Sequence, residues 1–173
     1  MKKILVLVLS LVIFGCASPV RIENVKVDNT VRLNFDDHLS GSIAVTYING
    51  GSDTNPSWSA GLTGREFKLA LKESLKSFYL LAVESKPSYE LSASFMQIDY
   101  PAFGSDLYFK TDIRYVLVEQ HTDKVVLDEI VSSSSTATIE DAFLAAERLK
   151  IASERSMKQN IEKFLKALES ASL

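Results

Sequence analysis

Cysteine and histidine are scarce: the 173 residues include 1 Cys, Cys16, and 2 His, His38 and His121. A lone cysteine can form no internal disulfide and no cysteine-based zinc site, and two histidines offer little to a histidine-rich metal centre. No metal and no cofactor is therefore expected. A surplus of positive charge is missing as well. The 19 basic side chains face 22 acidic ones, a formal −3, which disfavours a nucleic-acid binder working through a broad basic surface. Catalytic signatures are absent too, with no Gly-x-Ser-x-Gly elbow, no His-Glu-x-x-His and no glycine-rich phosphate loop. Gly51-Ser52 and Gly41-Ser42 lack the rest of such an elbow. Glycine is rare, and most of it lies between Gly41 and Gly64, so the recurring glycines of a long β-helix are missing. With no nucleophile–base set, the chain reads as a non-enzyme. The remaining composition, 46% hydrophobic and 24% charged, is that of one globular domain, not of a disordered chain.

The longest apolar run opens the chain. Lys2 and Lys3 precede Ile4 to Phe14, interrupted by Ser10. About ten residues are too few to cross a bilayer, which takes roughly 20, and they match the core of a secretory signal. The run closes in Ile13-Phe14-Gly15-Cys16 and resembles the lipobox of bacterial lipoproteins, with Phe14 bulkier than usual and Ile13 in place of the commoner leucine. That resemblance implies cleavage before Cys16 and lipidation of its thiol, where several acyl chains anchor stably and one alone does not. Ala17 and Ser18 stand where inner-membrane lipoproteins of enteric-type bacteria often carry aspartate, which implies the periplasmic leaflet of the outer membrane. The expected organisation is a signal peptide over 1–15, a lipidated tether and candidate edge strand over 16–30, and one α+β domain over 31–173. Loss of Lys2 and Lys3 leaves 17 of the 19 basic side chains against 22 acidic, a formal −5.

Periodicity sets the rest. Val31, Leu33 and Phe35 alternate with polar residues, as do Ile43, Val45 and Tyr47, and each set predicts a short half-buried strand. Residues 49–64, with Asn49-Gly50-Gly51 and Asn55-Pro56, read as the longest loop. Thr63 and Glu66 form a capping box opening a helix that reaches about Leu81, with Phe67, Leu71, Leu75 and Phe78 on one stripe. Tyr89, Leu91, Ala93 and Phe95 alternate clearly. A strand over about 107–119 follows, then a turn at His121 to Lys124 and a returning strand that gives way to loop in the serine run 132–135. Thr138 with Asp141 then predicts the start of a long helix to about Glu169, with Phe143, Ala146, Ile161, Phe164, Leu165 and Leu168 on its apolar side. Ala152, Ser153 and Ser156 predict close packing. Asn160 falls beside Met157, Ile161 and Phe164, and a buried amide there needs a partner such as a strand carbonyl. Glu154 with Lys158 and Glu162 with Lys166 read as solvated pairs. The fold class is α+β: an antiparallel sheet of about four to five strands with two helices on one face.

Two stretches carry a family resemblance. One is Phe67-Lys68-Leu69-Ala70-Leu71 through Tyr89-Glu90-Leu91. The other is Ala137 to Leu168, particularly Ala142-Phe143, Glu147-Arg148-Leu149, Ala152-Ser153-Glu154-Arg155-Ser156 and Asn160 to Leu165. Behind a lipobox, they resemble small proteobacterial outer-membrane lipoproteins of the YajG type. The layout of two helices on one sheet is similar, at the level of topology, to the LptE lipoproteins. The resemblance implies binding or assembly roles, and fold alone is a poor witness for function. Cys16 is the functional residue it carries over.

The expected function is a membrane-anchored domain, held by the lipid on Cys16, that binds an envelope protein partner. The alternative is a carrier or sensor of a small apolar or glycolipid ligand, which requires a deep apolar cavity between helices and sheet. Trp58, Tyr100, Phe103 and Tyr108 lie in or beside loops and are the candidate partner-binding residues. Their competing reading is that they fold back over the end of the sheet. His38 after Asp36 and Asp37 suggests a metal or acid–base cluster, but such a run is also ordinary turn chemistry.

Overall fold

The computed structural model describes residues 20–50, 64–83 and 87–171. Its elements are helix α1 (Ile22–Val25), a 3-10 turn (Asp37–Leu39), β1 (Ile43–Asn49), α2 (Gly64–Ser77), β2 (Tyr89–Asp99), β3 (Leu107–Glu119), β4 (Lys124–Ala137) and α3 (Ala145–Ser170). The four strands form one sheet in the order β1-β2-β3-β4.

Alternation builds this sheet. β2 buries Tyr89, Leu91, Ala93 and Phe95, and β3 buries every second residue from Leu107 to Leu117. β2 pairs antiparallel with β3, and β3 antiparallel with β4. β1 pairs parallel with β2, because α2 intervenes and carries the chain back to the starting end of the sheet. The serine run is not a strand end. It lies inside β4, with Ser133 turned into the core and Ser132 and Ser134 exposed.

Two expected strands do not form. Residues 20–30 hold the single helical turn α1 in place of an edge strand, and residues 31–36 are extended without joining the sheet. Their apolar side chains Ile22, Val31, Leu33 and Phe35 still pack against the core. Backbone groups here find side chains instead of a ladder. The Val27 amide donates to Ser74 Oγ at 2.9 Å, and the Asn34 amide to Glu169 Oε1 at 2.5 Å.

Helices α2 and α3 cover the buried face. Phe67 of α2 meets Phe95 edge-on, with centroids 5.1 Å apart. Phe164 of α3 stacks on Tyr115 at 4.2 Å. The small-residue stretch of α3 packs closely, as its composition predicts: Ala152, Ser153 and Ser156 are fully buried. At its centre sits a buried polar network. Tyr115 Oη donates to Asn160 Oδ1 at 2.8 Å, and Asn160 Nδ2 donates to the Val131 carbonyl at 2.8 Å and to Ser133 Oγ at 3.2 Å. Ser133 also meets Thr111 and Ser156 hydroxyls at 2.8 and 3.1 Å. The strand carbonyl sought for Asn160 is thus Val131. Burial pushes the Tyr115 phenol well above its ordinary pKa, so it stays a neutral donor.

α3 starts later than its sequence suggests. The Asp141 carboxylate does accept the Thr138 amide at 2.9 Å, but the helix begins at Ala145. Glu154 is also not solvated. It is buried and accepts the Arg21 amide at 2.8 Å and Asn24 Nδ2 at 2.6 Å, holding the N-terminal segment on α3. Glu162 and Lys166 do pair, at 2.6 Å. Thr63, the proposed cap of α2, lies outside the described residues.

Asn160→Ala should lower unfolding free energy by about 3 kcal/mol, because it strands the Tyr115 hydroxyl and the Ser133 cluster and opens a void. Tyr115→Phe should cost about 1–2 kcal/mol, since only one acceptor loses its partner. Urea unfolding with unchanged m-values checks both.

Candidate interaction surface

Interaction chemistry has to come from surfaces the fold leaves free. One sheet face is under the helices. The sheet edges, ordinarily templates for strand addition, are guarded. At β4, Lys163 Nζ donates to the Ser132 carbonyl at 2.8 Å and Arg155 to the Thr136 carbonyl at 3.4 Å. At β1, the segment after α2 pairs with the strand start: Ile43 N donates to Leu80 O and Ala82 N to Ile43 O. Lys68 Nζ takes the Thr46 carbonyl further along, at 2.7 Å. Among the described residues, two surfaces stand out: a loop tip at one end of the sheet, and the uncovered sheet face.

The tip joins the β2–β3 loop to the β4–α3 loop. It displays Phe103 (86% exposed), Phe143 (88%), Leu144 (67%) and Ile139 (55%). Arg148, from the first turns of α3 and only 6% exposed, holds the two loops together. Its Nη1 donates to the carbonyls of Ala142 (3.0 Å) and Phe143 (2.7 Å), and its Nη2 to that of Gly104 (3.2 Å). Arg148 meets no carboxylate among the described residues, and its Nε has no partner there. The loop carbonyl dipoles therefore take the place of a counter-ion. Gly104 has φ +152°, and a β-carbon there would come within 3.2 Å of the Asp106 carbonyl. Its backbone can turn its carbonyl to Arg148 where other residues would clash. A second clamp joins the β4–α3 loop to α3: Arg155 reaches Asp141 at 2.6 and 3.2 Å.

The aromatic candidates part ways here. Phe103 is displayed at the tip. Tyr100 stacks on Phe109, with rings 5.8 Å apart and 7° from parallel, and packs against the core, so it folds back over the sheet end. Tyr108 is half-buried on the uncovered sheet face, its hydroxyl 3.3 Å from Asp99 Oδ2 and its ring under Lys110. Trp58 and Cys16 lie outside the described residues. Phe143 was expected on the apolar side of the long helix; because α3 starts at Ala145, Phe143 stands in the loop and is solvent-exposed. His38 is exposed, its ring 6.4 Å from that of Tyr89. No group of three metal-ligating side chains occurs among the described residues.

The uncovered face carries cross-strand rows. One runs Ala44–Glu90–Val118–Val125, the next Tyr47–Ser92–Val116–Asp128, and the third Asn49–Ser94–Arg114–Ile130. Tyr47, Val125 and Ile130 are exposed, and Arg114 grips Asp128 through two bonds of 2.7 and 2.5 Å. A cleft of about 670 Å³ lies at the end opposite the tip, where Leu33, Phe35, Phe78 and Tyr79 meet Arg32 and Glu169. It is open and mixed in polarity. The space between helices and sheet, where an enclosed apolar cavity would be needed, holds the stacked Tyr115 and Phe164 instead.

No protein-family model and no curated protein matches the chain in sequence. Solved structures do match in fold. A Caulobacter crescentus CB15 protein described as a lipoprotein aligns at TM-score 0.54 and 14% identity, over 77% of this chain and 90% of that one. A Xanthomonas campestris protein of the DUF330 family aligns at TM-score 0.53 and 11% identity, over 79% and 90%. A minor lipoprotein of Acinetobacter baumannii aligns at TM-score 0.50 and 5% identity, over 76% and 94%. At such identities the likeness establishes a shared fold.

Arg148→Met should loosen both loops together. Amide exchange should accelerate across 100–106 and 138–144 while β2 and β3 keep their protection, and unfolding free energy should fall by about 2–4 kcal/mol. The Arg155 hydrogen bond, aided by the Thr138 amide, holds the Asp141 carboxyl below its usual pKa. A depressed native pKa means that this stabilisation is full above about pH 4 and fades as pH falls through the native value. The advantage of the wild type over Asp141→Asn, measured by denaturant unfolding, should therefore be present at pH 7 and shrink steadily below about pH 4.

Proposed function

We propose that the chain is a non-enzymatic lipoprotein of the bacterial envelope, anchored through lipid on Cys16 at the periplasmic face of the outer membrane. Its domain binds an envelope protein in an assembly, scaffold or secretion-accessory role. The observation that carries the binding role is the uncovered sheet face. Three strands present Tyr47, Val116, Val118, Val125 and Ile130 around the Arg114–Asp128 pair. An apolar centre beside an oriented charge pair is the make-up of a protein-docking surface. The guarded edges leave this face as the place where a partner can lie flat on the sheet.

The fold shared with bacterial lipoproteins and the lipobox-like Phe14-Gly15-Cys16 support the anchor. Kinship with the YajG type belongs to the same reading and rests on the stretches Phe67 to Leu91 and Ala137 to Leu168, while the LptE likeness rests on layout. The ligand-carrier reading is weaker, because the cleft at the end opposite the tip is open and bordered by Arg32, Asp36, Asp37 and Glu169.

Crosslinking the full lipoprotein in living cells should recover one envelope protein in near-stoichiometric amount. Tyr47→Asp with Ile130→Asp should abolish that capture and leave the melting temperature within a few degrees, since both side chains are exposed. Undiminished capture by the double variant would remove the sheet face from the interface. Cys16→Ala should accumulate uncleaved precursor, seen as a higher intact mass without acyl chains.

A further inference from the structure

We infer that the loop tip carrying Phe103, Ile139, Phe143 and Leu144 is seated in the lipid surface to which Cys16 is anchored. The inference rests on the anchor reading above and adds which end of the domain meets the bilayer, and through which side chains.

The path of the N-terminal segment orients the molecule. The chain is fastened to α3 at Glu154 by Arg21 and Asn24, and at Glu169 by Asn34. It therefore runs along α3 toward that helix's C-terminus, and Arg21, near where the described chain begins, sits closer to the N-terminal end of α3 than Asn34 does. The β4–α3 loop lies on that side. Asp141 of this loop and Glu23 and Asn24 of the entering chain border the same surface depression.

Reach does the rest. Cys16 stands four residues before Val20, and four extended residues span at most about 14 Å. Along α3, Glu154 and Arg148 are separated by about 9 Å, whereas the whole helix is about 39 Å long. A lipidated Cys16 thus comes within reach of the tip end of α3, whereas the C-terminal end of that helix, about 24 Å beyond Glu154, lies past the span of those four residues.

The tip suits an apolar seat. Its four large side chains come from two loops that Arg148 fastens into one unit, so their exposure is built in and is not the fraying of a single loop. Asp106 and Glu140 stand exposed on the same loops. Attraction to anionic headgroups is therefore not the basis of contact, and burial of apolar surface at a zwitterionic interface is. Seated this way, the domain leaves the flank with the uncovered sheet face accessible to a protein partner.

The test uses the full processed lipoprotein in phosphatidylcholine vesicles containing a nitroxide-labelled lipid. In the mature protein the Cys16 thiol is blocked, so Phe103→Cys and Phe143→Cys each offer one thiol for a fluorophore. His121→Cys, in the β3–β4 turn at the other end of the sheet, is the reference. Quenching several-fold stronger at 103 and 143 than at 121, and unchanged between low and high salt, is the expected result. Equal quenching at all three positions would overturn the placement. So would a photo-crosslinker at Phe143 that in cells joins a protein while the vesicle signal stays absent, since the tip would then be a protein contact. Intact mass separates the two readings: a chain without acyl groups would overturn the anchor itself, whereas an acylated chain without quenching would overturn the tip placement alone.

Discussion

The buried amide of Asn160 fixes the rest of the molecule in place. Apolar packing between a helix and a sheet tolerates sliding, because hydrophobic attraction has no direction. Hydrogen bonds do not. Asn160 accepts from Tyr115 on β3 and donates to Val131 and Ser133 on β4, so a shift of α3 by one turn, about 5.4 Å, would leave buried polar groups on three elements unpaired. Replacing the whole network by apolar residues could preserve stability but would surrender that register. The other polar contacts of α3 depend on the same register: Arg148 meets the tip loops, Arg155 and Lys163 meet β4 carbonyls, and Glu154 and Glu169 receive the N-terminal segment.

The same helix thereby settles which surfaces are open. From Arg155 to Lys163 α3 advances about 12 Å, and from Thr136 to Ser132 the strand spans about 13 Å. Two long cations at that spacing can each reach a carbonyl of β4. Their stems lie over the sheet rim while their heads take acceptors that another strand would need. On the other side, residues 80–82 and Lys68 do the same for β1. A small sheet with one uncovered face and guarded edges can meet partners broadside without adding strands edge to edge.

Much of this was legible in the sequence, and the parts that were not share a cause. Strict alternation in β2 and β3 needs only the pleat and one buried face, and the Phe67–Leu71–Leu75 stripe needs only helical period. Asn160 was legible as well, because a lone amide on an apolar stripe demands a partner. The orientation of β1 and the fate of 20–36 were not, since alternation reports a half-buried segment without naming what it lies beside. The start of α3 lies beyond the point its sequence suggests, because Thr138 and Asp141 have the spacing of a capping box without opening the helix. Arg155 competes for that carboxylate, and the helix begins beyond it. An earlier helix start hides Phe143 as a surface residue, and with it the tip's Ile139 and Leu144. One signal for Glu154 was present: it falls seven residues before Ile161, on the buried stripe, where a carboxylate requires donors.

The tip bears on how a tether and a fold act together. Exposed apolar side chains scattered singly need no explanation, but a cluster fastened in place does. Burying the Arg148 guanidinium without a carboxylate is costly, and the loop carbonyls offset that cost only if both loops stay where they are. The clamp therefore stabilises the displayed arrangement in preference to one in which Phe103 and Phe143 turn inward. A lipid on a short tether confines the domain to a thin layer but leaves its orientation free. Apolar side chains beside the tether remove part of that freedom, because the orientation that buries them lies within the tether's reach. In the seating proposed here, a partner approaching along the membrane would meet a sheet face held at a nearly constant angle and would lose less orientational entropy on binding.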